Sequence, residues 1–413
     1  MKKKKIAVVV ASFPAISETF IINHIVELIK QGHNVTIFSD AFNKTGMVHK
    51  IVEDYNLIEK TVYRKNPGRG IIRFFKIFIA FFTHLKYFKV LIKSFSKKYY
   101  GNYAVKGYFF FEVLPFLKKE YQEFDIIHAH FGNVGNKVSM IKNLGLLKGK
   151  FVTTFYGHDI NDYRQIKSQD NYKMLEKYCD YILFVTSDLL EKYETITNSI
   201  IPLTVLPSNI NQKVFVPKKY NAEKKKIIFI TVGRLIDWKG QNLVIEAMNF
   251  LYKKNPNVNI KYHIVGAGAQ NEDEEWQKKV LYYKLENKIF FFGALSHSEV
   301  ANKLNEADVF ILFGVVDKYG NIDAQANVVQ EAQSVGLPVI VSDAGGLPED
   351  MQNNKTGYVV KEKSIEELVN RMLFFYNNPN KIEEMGRKAV DFVKNKYSTK
   401  VVFKKLFEIY ESL

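Results

Sequence analysis

Twelve short apolar runs, each followed by a longer segment of polar or helical period, constrain the fold of this chain more than any other feature. The first six occupy 6–11, 35–38, 126–128, 151–155, 181–185 and 203–206. The second six occupy 227–232, 260–265, 289–292, 309–313, 338–342 and 358–360. Strands that alternate with helices pair in parallel, because a parallel partner is reached only by a crossover, and the crossovers cover both faces of the sheet. The pattern predicts an α/β protein with two Rossmann-like halves. The polar, basic stretch 211–226 separates the two series and is the expected linker. Boundaries of 1–210 and 211–394 follow, with a helix at about 395–413 expected to return onto the first half. Two such halves enclose a cleft, the default place for a ligand.

The segment 309–349 reads VFILFGVVDKYGNIDAQANVVQEAQSVGLPVIVSDAGGLPE. It is a strand, a loop, a helix and a strand, with Asp323 in the loop, Glu331 on the helix and seven residues between them. Ligands of open parallel sheets bind outside the carboxyl ends of strands. A carboxylate accepts two hydrogen bonds from a vicinal diol, so two acids here point to sugar hydroxyls. A helix cap and a solvated acid would give the same letters, and both readings stay open on this segment alone. The stretch 227–240, IIFITVGRLIDWKG, ends a buried strand at Val232 and follows it with Gly233, Arg234 and Lys239. A planar fork and a point charge beside a flexible backbone suit a diphosphate.

The balance of charge is strongly basic, +16 over 413 residues, which favours polyanionic partners without choosing among them. The single cysteine, Cys179, excludes an internal disulfide and suits a reducing compartment. The opening MKKKK is basic, but the stretch after it soon turns polar and reads as a buried strand rather than a secretory segment. No uncharged run approaches the ~20 residues of a membrane helix, so a cytoplasmic protein is expected, with any membrane contact peripheral. Between 70 and 100 the residues Phe74, Phe78, Phe81, Leu85, Phe88, Ile92 and Phe95 recur at helical spacing, interleaved with lysines. Such a stripe packs on the first sheet or lies on an anionic membrane surface, and the two readings are compatible because Phe75, Ile79 and Phe82 lie off the main stripe.

Together these motifs resemble glycosyltransferase family 4, the retaining nucleotide-sugar transferases of GT-B fold. Gly233-Arg234 and Lys239-Gly240 match the family's cationic loop, and Asp323 with Glu331 matches its acidic pair. VGAGA from 265, FFG from 291 and TGYVV from 356 match further landmarks. SFPAISETFI from 12 and DIIHAHFG from 125 resemble a branch that builds bacterial exopolysaccharide, capsule or O-antigen. The resemblance covers nearly the whole chain.

The resemblance implies a donor of UDP or GDP type and a saccharide or polyprenyl-diphosphate-linked acceptor. Arg234 and Lys239 would hold the donor diphosphate, Glu331 the ribose, and Asp323 the donor sugar, with backbone near Ala324 and Asn327 helping. Gly233, Gly266 and Gly293 would let backbone pass close to the donor. His158, then Asp159, would touch the transferred sugar or the acceptor, and Ser17, capping the helix that begins near Glu18, would lie in a loop that also touches the acceptor or the diphosphate. No metal or other cofactor is expected: no two Asp residues are separated by a single residue. Nucleic acid is not an expected partner, since the basic residues are dispersed and no recognised module is present. The chain departs from the family at several points: Asp323 stands where Glu is usual, the first loop lacks Gly-Gly, Tyr156 stands where His is common, and SNIN at 208–211 replaces a more usual turn. A non-catalytic GT-B scaffold and a nucleotide-sugar epimerase are the alternatives.

Overall fold

The computed structural model describes residues 2–15, 18–42, 50–220, 226–268 and 272–413. Its first sheet has seven parallel strands: β1 (Lys5–Phe13), β2 (Asn34–Phe42), β3 (Thr61–Tyr63), β4 (Glu123–His130), β5 (Lys148–Phe155), β6 (Tyr181–Phe184) and β7 (Leu203–Val205), in the order β3-β2-β1-β4-β5-β6-β7. The second has six: β8 (Ile227–Val232), β9 (Ile260–Val265), β10 (Ile289–Phe291), β11 (Val309–Leu312), β12 (Val339–Ser342) and β13 (Gly357–Val360), in the order β10-β9-β8-β11-β12-β13. The chain is therefore two Rossmann-like domains. Each sheet reverses its strand order once, between β1 and β4 and between β8 and β11, and those two crevices are where such sheets bind ligands.

All twelve apolar runs fall on strands. β8, β11 and β12 are buried along their whole length, which is why they read as unbroken apolar runs rather than alternating ones. β3 was not legible: it has three residues, all half-buried, at the sheet edge.

The stripe at 70–100 is divided. The helix Gly70–Thr83 ends at His84, and a tight turn over Leu85–Tyr87 precedes the short helix Phe88–Lys93. The break shifts the helical phase. Phe81 and Phe95 turn inward, with Ala80 and Leu91, onto Phe110 and the first sheet's core. Phe74, Phe78, Leu85, Phe88 and Ile92 stay exposed. Packing on the sheet thus accounts for only part of the stripe.

Two helices close the described chain, Asn380–Lys396 and Thr399–Ser412. The last of them brings Val402, Phe403, Leu406, Ile409 and Tyr410 into one core with Ile6, Val8 and Val10 of β1 and Ile22 and Ile25 of the Thr19–Lys30 helix. Burying a side chain of that size contributes about 1.5–3 kcal/mol, so this helix is a substantial part of the first domain's stability. Tyr410 also enters a polar cluster. Its hydroxyl lies 2.6 Å from His128 Nδ1 and 3.3 Å from His24 Nε2. His24 Nδ1 lies 2.9 Å from His130 Nε2, His130 Nδ1 lies 2.7 Å from the Tyr156 hydroxyl, and His128 Nε2 lies 2.7 Å from Thr154 Oγ1. Burial lowers all three imidazoles, His24 to about 3, so they are neutral and each acts as donor on one ring nitrogen and acceptor on the other.

Replacing Tyr410→Phe keeps the ring but strips the partner from two buried ring nitrogens. The expected cost is about 1–3 kcal/mol, read as a lower urea midpoint with an unchanged slope.

Candidate functional site

The loop after β8 is shaped by two glycines. Gly240 has φ +74°, and a Cβ there would lie 1.8 Å from the Phe313 carbonyl oxygen. Gly266, at φ +143°, would place one 1.8 Å from the Gly233 carbonyl oxygen. The loops after β8, β9 and β11 therefore touch through bare backbone. Between Gly233 and Gly240 the turn Asp237–Lys239 aims Lys239 inward, where Nζ lies 2.8 and 2.7 Å from the two carboxylate oxygens of Asp323. Gln241 Nε2 donates to the Arg234 carbonyl at 3.0 Å, which fixes the backbone while leaving the Arg234 side chain exposed.

The loop that carries Asp323 leads into the helix Asn327–Ser334, and a buried acid behind it sets its course. Asp350 accepts from the Ala326 amide at 2.7 Å and from Gln330 Nε2 at 2.6 Å, while Gln333 Nε2 donates to the Asp350 carbonyl at 2.7 Å. Burial pushes the Asp350 carboxyl well above its usual range, against the pull of these bonds. On the same helix Glu331 is buried, and burial raises it to about 8. His297 Nε2 is 3.8 Å from its carboxylate.

The opposing wall comes from the carboxyl ends of the first sheet. Glu18 follows β1, Phe131 follows β4 and Tyr156 follows β5. Phe20 lies against Tyr156, ring centroids 4.5 Å apart, and Phe131 packs on the same ring at 4.9 Å. Phe131 has φ +75°, a conformation that costs a bulky residue about 1–3 kcal/mol, and its amide is held by the Thr154 carbonyl at 2.8 Å. Asp159 ties two of these loops together: its carboxylate accepts from the amides of Gly132 at 2.8 Å, Gly157 at 2.9 Å and Tyr156 at 3.2 Å. Burial pushes the Glu18 carboxyl up to about 7.

These walls enclose a cavity of about 470 Å³ whose lining includes Glu18, Tyr156, His158, Arg234, Asp323 and Asn327. Every one of them follows the carboxyl end of a strand or opens the helix beyond it. The domains also touch beside it. The Glu349 carboxylate accepts the amides of Ser187 and Asp188, at 2.9 Å each, at the start of the helix Ser187–Ile196. Gln325 Oε1 accepts the Ser208 amide at 2.8 Å, His158 Nδ1 approaches Asn321 Oδ1 at 3.4 Å, and the Arg164 guanidinium lies 3.9 Å from the centre of the Tyr319 ring.

Of the residues singled out from the sequence, His158, Arg234, Asp323, Ala324 and Asn327 line this cavity, and Lys239 joins it through Asp323. Gly233, Gly266, Gly293 and Glu331 are not in its lining. Gly266 serves close packing of loop on loop, whereas Gly293, at φ +67°, has open space around it. Asp159 is spent on backbone amides. Ser17 lies outside the described residues; the adjoining helix, Thr19–Lys30, has Glu18 as its cap residue and no side-chain cap bond. Glu18, Phe20, Phe131 and Tyr156 were missed. Glu18 and Phe20 sit in the quoted SETFI motif, and only their common placement at strand ends could have singled them out. Among the described residues, His24, His128 and His130 are the sole group with metal-ligand spacing, and their ring nitrogens already bond one another and neighbouring hydroxyls.

Residues 212–392 match the family model Glycosyl transferases group 1. Over its whole length the chain is similar to the putative colanic acid biosynthesis glycosyltransferase WcaL of Escherichia coli strain K12, at 24% identity over 99% of this chain and 100% of the relative. It is similar also to the amylovoran biosynthesis glycosyltransferase AmsK of Erwinia amylovora, at 27% identity over 97% and 98%. Among solved structures, Anabaena Alr3699/HepE in complex with UDP superposes with a TM-score of 0.72 at 14% identity, covering 99% of this chain and 100% of that one. The apo lipopolysaccharide outer core galactosyltransferase WaaB superposes at 0.66, with 16% identity over 99% and 100%. The fold is GT-B.

The buried Glu331 makes a prediction about stability. Its carboxyl titrates near 4.5 when unfolded and near 8 when folded, so the folded state gains from holding the proton below about pH 4.5, and that gain is lost as pH rises to about 8. Glu331→Gln should flatten this fall, leaving the ligand-free variant with the higher melting temperature at about pH 9 and little difference at about pH 4.

Proposed function

We propose that this chain, a GT-B glycosyltransferase whose C-terminal half is a group 1 glycosyltransferase domain, moves a hexose from a nucleoside diphosphate donor to a saccharide acceptor with retention at the anomeric carbon. One observation carries the reading. Arg234, the Lys239–Asp323 pair and the Asn327 end of a helix meet His158 in a cavity between the strand ends of both sheets. The donor is of UDP or GDP type, the former supported by the UDP complex of the structural neighbour. The names of WcaL and AmsK support a place in surface polysaccharide assembly. An acceptor carried on a polyprenyl diphosphate at the inner face of a membrane belongs to the same proposal. No helix among the described residues is long and apolar enough to cross a membrane, so contact with it would be peripheral.

The proposed chemistry follows from charge. The C1–O bond to the diphosphate breaks and negative charge grows on the departing oxygen. Arg234 stands exposed to meet it, and Lys239 swings part of its interaction from Asp323 to the phosphate. Asp323 then accepts hydroxyls of the sugar. The acceptor hydroxyl attacks the same face, its proton passing to the departing phosphate oxygen, which needs no enzyme nucleophile. Cationic side chains and a helix start supply the countercharge, so no metal is required in this scheme. Glu331, behind the cavity lining, holds the donor ribose once its proton is lost or donated.

The aromatic wall of Phe20, Phe131 and Tyr156 offers a face for an acceptor sugar ring, and Glu18 a hydrogen-bond partner for its hydroxyls. A carboxyl held near 7 beside that wall should leave a rise or fall in rate near that pH. Glu18→Gln is expected to remove that inflection from the pH–rate profile.

The direct test is a thermal-shift screen with UDP, GDP and their common sugar conjugates on the wild type and on Arg234→Ala. One nucleotide should raise the melting temperature of the wild type alone, and the variant should turn over about 10²–10³-fold more slowly. A wild type that no nucleotide stabilises would overturn the transfer reading in favour of a scaffold. Proton NMR of the first product reads the anomeric configuration; inversion would overturn retention.

A further inference from the structure

Between Arg64 and Glu112 the chain makes a long excursion from the first sheet, and those two residues clamp its base. The Arg64 guanidinium pairs with the Glu112 carboxylate, which also accepts from Tyr103 at 2.7 Å and lies 3.6 Å from Lys137. Everything outside the clamp is cationic. Residues 65–106 hold ten Lys and Arg and no Asp or Glu, in a chain whose whole net charge is +16. The excursion also carries the most exposed apolar surface of the described residues. Phe74, Phe75, Phe78, Phe82, Leu85 and Phe88 each leave 47–65% of their surface uncovered. Such an apolar ridge on a domain surface marks an interaction surface.

We infer that this excursion docks on an anionic lipid bilayer, lying along the surface with its phenylalanines among the acyl chains and its lysines at the headgroups. Three observations choose this occupant. The helix Gly70–Thr83 has fourteen residues, about 21 Å, too short to span a ~30 Å hydrocarbon core but well suited to lie in its surface. Lys86, Lys89, Lys93 and Lys97 are exposed beside the ridge, where anionic headgroups would sit above acyl chains. A second copy of the same surface would set ten cations against ten, which disfavours self-association. The excursion leaves the sheet just past Tyr63 at the carboxyl end of β3, the same end of the parallel strands from which Glu18, Phe131 and Tyr156 reach the cavity. A lipid-linked acceptor would then meet the cavity from the membrane side; only this last consequence rests on the transfer reading.

Vesicle flotation tests the surface. Full-length protein is mixed with vesicles of phosphatidylcholine alone or with added phosphatidylglycerol. The wild type should bind the anionic vesicles at least about tenfold more than the neutral ones, and added salt should weaken it. The triple variant Phe74→Ser, Phe78→Ser, Phe82→Ser should lose about tenfold, and Lys86→Glu with Lys89→Glu a similar amount. Equal binding to both vesicles, no binding, or an unchanged triple variant would overturn the inference. So would a wild-type dimer in sizing that the triple variant abolishes while vesicle binding persists. The nucleotide thermal shift, run on each preparation, reports folding and the donor site. A normal shift without vesicle binding sinks the membrane surface alone; vesicle binding without any shift sinks the transfer reading alone.

Discussion

Parallel pairing is the constraint from which the rest of the molecule follows. A parallel neighbour can be reached only by carrying the chain back over a sheet face, so all strands of a sheet end on one side and their loops gather there. Each sheet of this chain obeys it without exception. Setting the loop side of one sheet opposite that of the other makes a cleft whose walls are irregular backbone. Such backbone must be held in place, and buried carboxyl groups do so on both sides. Asp159 collects three amides in the first domain, and Asp350 fixes Ala326 and Gln330 in the second. Glu349 then spans the two by accepting two amides at a helix start, where a negative group is favoured by the exposed N–H groups and the dipole.

The electrostatics of the cavity are economical. Lys239 and Asp323 pair with each other, so two half-buried side chains leave no bare charge. Arg234 remains as the exposed cation. In the proposed reaction an arriving diphosphate draws Lys239 away from Asp323, which frees that acid for the sugar at the moment the sugar arrives. Asp at position 323 suits this arrangement: its short side chain keeps both oxygens on the Lys239 ammonium.

The sequence carried the fold because core strands in a parallel sheet are apolar along their length, and runs of four to six such residues are hard to mistake. It placed Arg234 and Asp323 in loops that follow strands, and those loops line the cavity. It did not carry the aromatic wall. Phe20, Phe131 and Tyr156 are far apart in the chain, and each reads locally as an ordinary apolar residue; only β1, β4 and β5 ending side by side assembles them. The stripe at 70–100 was legible only in part, for a different reason. A periodic pattern says which residues share a face but not where the helix breaks, and the turn at Leu85–Tyr87 rotates one part relative to the other. Glu331 lies where its motif predicts along the chain, yet its burial and its retained proton are properties of packing that spacing does not encode.

The closing helix has a consequence for how the protein is made. Tyr410 and its neighbours complete the core around β1, yet a ribosome produces them only after every strand of the second sheet. During synthesis the first domain emerges with an apolar face uncovered and with two imidazole nitrogens awaiting their hydroxyl. The second domain has its own closed cores and can mature while still tethered. Final consolidation therefore runs against the usual vectorial order, the N-terminal half settling last. A nascent chain stalled before Val402 would expose that face to chaperones, a demand on the cell that the finished molecule no longer shows.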